Sequence, residues 1–332
     1  MKGMVIMIQI IDNTLMTSLD LSGEQDDLYR FCELLFIIGV DIIEIPTEIS
    51  DKIGRLPEGK YLLHVSCEEE ADRYSGFYRY VSHQELRNRR SVLELQINDI
   101  REILRLKNYQ KHAEVRISGL DDLLCHSYEK LIPEILHSLP DTKVIFNPEN
   151  TYGCACALAL QWLLEYGKDI TTSFTGVMNN AATEEVLMAL RLTIRHKPNR
   201  DLTVLPELTK IYERMTGRRI GNRKPILGKN IFKVEAGIHA DGLHKNPITY
   251  EAYAANSVGG KFELVIGKHS GSRAVKMKLE QLKIPVPSNE TVEKILDNVR
   301  SICTQNRNSL SDEEFIKLLM GVVADEGDQV YR

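Results

Sequence analysis

The 332-residue chain has no run of about 18 uninterrupted apolar residues, which excludes a membrane-spanning helix on length alone. Its opening, MKGMVIMIQIID, is apolar but reaches Asp12 without the longer apolar core and small-residue cleavage site of a secretory leader. It reads as a first strand. Neither sign of charge dominates: 42 Lys and Arg face 47 Asp and Glu for a net charge of −5, with no long acidic or basic tail. That leaves no electrostatic footprint for nucleic acid or a membrane surface. The six cysteines, Cys32, Cys67, Cys125, Cys154, Cys156 and Cys303, are too scattered to form a disulfide framework at this length. Reduced thiols and a cytoplasmic location are the expectation. No G-x-G-x-x-G follows the first strand, which weighs against dinucleotide binding.

What the chain does have is alternation. The β-prone runs MVIMIQII, VDIIEIP, KYLLHVS, GFYRYVS, AEVRIS, TKVIFN and DITTSFTG are interleaved with helical patterns such as DDLYRFCELLFIIG. This is the mark of a parallel α/β protein and predicts a (β/α)8-like TIM barrel, with an open doubly wound sheet as the alternative. The stretch ELRNRRSVLELQINDIREILRLKN sets Val92, Leu93, Leu95, Ile97, Ile100, Ile103 and Leu104 in a broad apolar stripe and reads as the longest helix, with its arginines on a solvated face. Cys154 and Cys156, in TYGCACALALQW, read as small apolar residues at the start of a buried helix rather than as metal or redox ligands.

After RHKPNRDLTVLPELTKIYERMTGRRIGNRKP the repeating pattern ends, which places a domain boundary near Pro225: residues 1–225 as the barrel and 226–332 as an α-rich region. The basic cluster Arg218, Arg219, Arg223 and Lys224 reads as a solvated linker, with a phosphate-bearing ligand as the alternative. Near the end, Ser311 and Glu314 in SDEEF have the spacing of a capping box.

The stretch KNIFKVEAGIHADGLHKNPITYEAYAANSVGGKFELVIGKHSGSRAVKMKLEQL resembles the post-barrel region of the homocitrate synthase and 2-isopropylmalate synthase family, closest to homocitrate synthase. Upstream, GVDIIEIP is similar to that family's second strand and NNAATEEVLMAL to its late helix start, so the resemblance covers nearly the whole chain. It implies a TIM barrel followed by a small lid and dimerisation region. It also implies a divalent metal (Mg2+, Mn2+ or Zn2+), and a condensation of acetyl-CoA with a 2-oxo acid followed by thioester hydrolysis. Such chemistry requires a metal gripping the 2-oxo acid, an arginine facing developing oxyanion charge, and acid/base groups that deprotonate the acetyl methyl.

The family's first-strand signature, D-T-T-L-R-D-G-E-Q, aligns on Asp12, Thr14 and Leu15, which puts Met16 at the catalytic arginine and Thr17 at the acidic metal ligand. A thioether cannot replace a guanidinium. The rival register, on Gly23, Glu24 and Gln25, puts Leu21 and Ser22 at those positions and the loss remains; this GEQ reads better as a helix start capped by Ser22. The family's H-x-H-N-D-x-G motif appears as IFNPENTYG, with Asn147 and Glu149 at the two metal-binding histidines, followed by Asn150. The Gly-rich turn is shortened in TGVMNNAATEE, where Asn180 remains as a candidate substrate-binding residue beside Asn150. The short span from Lys107 to Phe146 predicts that one barrel unit is trimmed.

Three acid/base positions persist by resemblance: Glu44 in the barrel, and His239 and Tyr250 on a loop that reaches a neighbouring subunit in the family. Read without the resemblance, His239 is a local cap, Tyr250 a packing residue and Glu44 a solvated mouth residue; His244 and His269 have local roles. The uneven pattern predicts a homocitrate synthase-like protein that is inactive alone or a partner-dependent subunit. It would form a homodimer, or a heterodimer with an intact paralogue. The alternatives are an active synthase with altered metal ligation, and new chemistry built on Glu44, Glu149, Asn147 and Asn180.

Overall fold

Short strands rich in apolar and β-branched residues close on one another in the computed structural model, which describes residues 8–17, 25–87, 90–246 and 250–330. In chain order they are β1 (Gln9–Asp12), β2 (Ile42–Pro46), β3 (Lys60–His64), β4 (Arg79–Ser82), β5 (Ser91–Ile97), β6 (Glu114–Gly119), β7 (Lys143–Pro148) and β8 (Asp169–Thr172). Each pairs in parallel with the next, and β8 returns to β1 with Ile10 opposite Ile170 and Asp12 opposite Thr172. The barrel is closed and holds all eight strands.

The expected loss of one unit is therefore corrected. What is shortened is the helical layer: β4 runs to β5 through residues 83–90 with no helix among the described residues, and β5 runs to β6 through a 3-10 run, Ile100–Tyr109. The long helix expected around Val92–Leu104 is corrected as well. Ser91–Ile97 is β5, inserted between β4 and β6. A strand covered on both faces carries a near-continuous apolar run that fits either period, so periodicity misassigned it. Asp99 then breaks the run and caps the 3-10 segment by accepting from Arg101 N at 2.8 Å.

Around the barrel lie α1 (Gln25–Ile38), α2 (Thr47–Ile53), α3 (Glu68–Arg73), α4 (Tyr128–Ser138), α5 (Ala155–Gln161), α6 (Thr183–Ile194) and α7 (Leu205–Thr216). Helix α1 buries Leu28, Phe31, Leu34, Leu35 and Ile38. Its polar side meets α7 through the Arg30–Glu207 and Arg214–Asp27 ion pairs, at 2.8 and 2.6 Å. The expected helix cap Ser22 lies outside the described residues.

The barrel interior is layered by the two-residue period of its strands. At its foot, Glu114 pairs with Arg79 and with Lys143 (3.1 Å), and Lys143 also reaches Asp169 at 2.7 Å. Above this lies an apolar layer of Ile11, Ile42, Leu62, Val81, Val92 and Ile145. One step further along the same strands, polar side chains take over and form the mouth.

The chain divides into two units, residues 1–221 with 225–227 and residues 222–224 with 228–332. The second has a two-stranded parallel sheet, β9 (Lys233–Val234) with β10 (Glu263–Leu264), and the helices α8 (Gly237–Lys245), α9 (Ser272–Gln281), α10 (Asn289–Asn306) and α11 (Asp312–Val330). Its core includes Ile266, Val275, Leu279, Ile295, Val299 and Phe315. Ser288 caps α10, accepting from Thr291 N at 3.1 Å. Ser311 and Glu314 cap α11 reciprocally, through Ser311 N to Glu314 Oε2 at 2.8 Å and Glu314 N to Ser311 Oγ at 3.2 Å. No described helix is long and apolar enough to cross a membrane.

Candidate active site

The C-terminal ends of the strands, where barrels of this kind place their chemistry, surround a cavity of about 270 Å3 lined by Asn13, Met16, Glu44, Arg116, Ser118, Asn147, Glu149, Asn180 and others. At its centre is Arg116, on β6 and fully buried. Its guanidinium forms a two-pronged pair with Glu44, Nη1 to Oε1 at 3.0 Å and Nη2 to Oε2 at 2.6 Å. Charge of this kind survives burial only when paired and hydrogen-bonded. His64 on β3 adds a third contact, its Nδ1 lying 3.2 Å from Glu44 Oε1. Arg116 Nη1 also lies 3.6 Å from Glu94 Oε1 on β5.

The electrostatics follow from this packing. Burial pushes the Glu44 carboxyl up, but Arg116 and His64 outweigh it and hold the group down at about 2. Burial opposes protonation of His64, and Glu44 and Glu94 overcome it, so its pKa is raised. Deeper in the wall, burial pushes Asp12 up to about 6, against hydrogen bonds from Thr14 and Thr183 that lower it.

Hydrogen bonds from neutral side chains complete the wall. Asn147 Nδ2 donates to Ser118 Oγ at 3.0 Å, and Ser118 Oγ donates to Glu94 Oε1 at 2.7 Å. Gln96 Nε2 donates to Glu149 Oε1 at 2.8 Å, and Asn180 Nδ2 to Asn13 Oδ1 at 3.0 Å. The loop after β8 is strained beside them, with Thr175, Met178 and Asn179 at φ of 66°, 61° and 61°. Non-glycine residues in that region cost energy and cluster at functional sites.

The structure brings together Glu44, Asn147, Glu149 and Asn180, and sets Met16 in the same cavity. It does not bring Thr17 or Asn150 into the cavity lining. Thr17 closes the short 3-10 turn Thr14–Met16, its N–H on Thr14 O at 3.2 Å. Asn150 Oδ1 accepts from Ala155 N at 2.9 Å and so holds the start of α5. His239 and Tyr250 belong to the second unit, exposed, with ring centroids 5.4 Å apart. His269 presents its backbone N–H to Glu235 Oε2 at 3.3 Å, a local use. The side chain of His244 lies outside the described residues.

The residues at the family's metal positions do not fit that metal. Both imidazoles are absent, Thr17 stands outside the cavity lining, and Glu149 is engaged by Gln96. What remains is Asn147 Oδ1, a buried amide oxygen without a hydrogen-bond partner among the described residues. Arg116, His64, His83, Glu94 and Ser118 were not singled out from the sequence. Their signal was there: charged or polar residues at alternate positions of otherwise apolar strands, as in VLELQI and EVRIS.

Comparison with known proteins agrees with this architecture. Residues 226–307 match the family described as homocitrate synthase post-HMGL domain-like. The homocitrate synthase omega subunit of Clostridium pasteurianum is 31% identical over 316 residues, which is 88% of this chain and 89% of that protein. Homocitrate synthase AksA of Methanothermobacter thermautotrophicus is 34% identical over 179 residues, 52% of this chain and 44% of its own length, so the match to that relative spans less than half of it. Among solved structures, hydroxymethylglutaryl-CoA lyase from Pseudomonas aeruginosa shares the fold at 16% identity with a TM-score of 0.51, over 64% of this chain and 94% of that one. A barrel with this mouth, followed by a region of this pattern and related over most of its length to the omega subunit, belongs to the homocitrate synthase and 2-isopropylmalate synthase family of acyltransferases.

Proposed function

We propose that this chain is a homocitrate synthase-type subunit that is weak or inactive alone and works with a family member whose site is intact. The observation that carries the reading is the barrel mouth: Met16 lines the cavity at the position the resemblance gives to the catalytic arginine, and Asn147 and Glu149 stand at the two histidine positions. Loss of a single oxyanion donor costs roughly 10²- to 10³-fold in rate. Here the arginine and the metal set are replaced together.

The remaining barrel carboxylate supports the same reading. A general base works best with a pKa near the operating pH. Glu44, paired with the Arg116 guanidinium and held below the ordinary carboxylate range by it and His64, is disfavoured as the base that takes an acetyl proton. Its role is to position Arg116. The assembly would act in the cytoplasm on acetyl-CoA and a 2-oxo acid. Residues 226–332 would form the lid and dimerisation region, with His239 and Tyr250 offered to the partner's barrel. The name of the Clostridium relative, an omega subunit, supports a multi-subunit setting.

The test is CoA release from acetyl-CoA with 2-oxoglutarate or 2-oxoisovalerate, by the purified chain and by the chain co-expressed with an intact synthase from the same cell. The expected result is negligible turnover alone, a mixed oligomer on co-expression, and lower activity of that oligomer when this chain carries His239→Ala. Robust turnover by the lone chain would instead establish an active synthase with altered metal ligation. Self-association only, with no mixed oligomer, would remove the partner.

A further inference from the structure

On the wall opposite β7, His64, which also contacts Glu44, and Glu94, which also faces Arg116, come together with His83. We propose that His64 at the end of β3, His83 just after β4 and Glu94 within β5 form a binding site for a first-row transition-metal ion such as Zn2+, separate from the positions of Thr17, Asn147 and Glu149. One potential ligand atom from each of the three lies within 4.8 Å of the others. Two imidazoles and a carboxylate are a donor set that suits Zn2+ and Fe2+, whereas Mg2+ and Ca2+ prefer oxygen ligands.

The surroundings orient the donors. Glu94 divides its oxygens: Oε1 accepts from Ser118 Oγ at 2.7 Å and faces Arg116, while Oε2 faces His83 Nε2 at 3.6 Å. His64 Nδ1 is engaged by Glu44 Oε1 at 3.2 Å, which leaves Nε2 as the lone-pair donor. A carboxylate behind a metal-bound imidazole, fixing its tautomer and raising its basicity, is the usual support for such a ligand.

A tetrahedral ion with bonds of about 2.0–2.1 Å holds its ligand atoms about 3.4 Å apart, so the trio closes by about 1 Å or a little more. His83, with its side chain 63% exposed, is free to turn and make that adjustment. The cavity also carries three carboxylates, Glu44, Glu94 and Glu149, against the single guanidinium of Arg116, an excess of negative charge that favours a cation. Three protein ligands leave a coordination position open to the cavity, where water or a small anion completes the set.

This site stands whether or not the chain turns over substrate, so its test is binding. The full chain, stripped with a chelator, is titrated with Zn2+ against a chelating dye and with Co2+ by visible absorption. The expected result is one ion per chain at micromolar concentration, Co2+ bands of a four- or five-coordinate centre, and a rise in melting temperature with Zn2+. His83→Ala and Glu94→Gln should weaken binding by more than the roughly 10- to 100-fold that loss of a supporting group costs, and abolish the thermal shift. Glu149→Gln should weaken binding by no more than a few-fold, through the lost charge alone. The proposal is overturned by no binding, by undiminished binding in a folded His83→Ala variant, or by loss of binding in Glu149→Gln.

Discussion

Replacing Asp12 by asparagine should stabilise the barrel at neutral pH. Asp12 ends β1 and is fully buried, and no ion pair with it forms among the described residues. Its oxygens accept from Thr14 N at 3.0 Å and Thr183 Oγ1 at 2.6 Å. Burial still dominates and lifts the carboxyl from its ordinary 3.8 to about 6. At about 1.4 kcal/mol per pH unit, that difference sets the cost of keeping it ionised in the fold at about 3 kcal/mol.

Asparagine removes the charge and can keep the bonds. Its Oδ1 still accepts from Thr14 N, and its Nδ2 donates to Thr183 Oγ1. Thr183 then turns its hydrogen toward Thr172 Oγ1, 2.7 Å away, which in turn donates to Ile11 O at 3.3 Å. The pH window follows from the raised pKa. Between about 6 and 3.8 the folded carboxyl holds a proton that the unfolded one has lost, so wild-type stability gains as pH falls through that range.

The only tryptophan, Trp162, lies buried in the barrel unit with Nε1 on Asp169 O at 3.0 Å, so its fluorescence in a urea titration reports this unit. Asp12→Asn should be more stable than wild type by about 1–3 kcal/mol at pH 7.5. The advantage should shrink to nothing near pH 4. A variant less stable at pH 7.5, with the same pH slope as wild type, would refute the reasoning and mean that the charge on Asp12 is compensated.

Glu44→Gln should have the opposite sign, since it strands the buried Arg116 charge with only Glu94 at 3.6 Å; the cost is about 3–5 kcal/mol by the same fluorescence assay. Because the Glu44 carboxyl is held down near 2, the contribution of this pair is complete above about pH 4.5 and fades as pH falls toward 2. Gly119→Ala should cost on the order of 3 kcal/mol or prevent folding. Gly119 has φ of +108° and a Cβ there would meet Ile97 O at 2.2 Å. A fully stable variant would show that the end of β6 shifts freely. In the second unit, Ser311→Ala should lose about 1 kcal/mol and speed amide exchange in the first turn of α11, without altering exchange in β6.

The barrel was readable because its strands are β-branched runs separated by turns, and seven of them stood out in advance. The eighth, β5, was hidden in a longer apolar pattern: Val92, Leu93 and Leu95 satisfy a helix as well as a strand, and only Asp99 marks the break. The short span from Lys107 to Phe146 reads as one unit too few because this barrel shortens its helical layer while keeping all eight strands. At the site, Glu44 was found through the similarity of its strand, but Arg116 and His64 were not. Their meaning depends on β2, β3 and β6 meeting across the barrel, a distance relation that no local pattern encodes.

The foot of the barrel has a consequence for how such a protein changes over time. The network of Arg79, Glu114, Lys143 and Asp169 lies on the far side of an apolar layer to which six of the eight strands contribute, so most of the mouth side chains sit apart from these foot ion pairs. Side chains such as Met16 and Asn147 at the mouth can therefore be exchanged without loosening the closure of the barrel. Change at the mouth and persistence of the frame become independent, and a different ligand set can be selected on the same barrel.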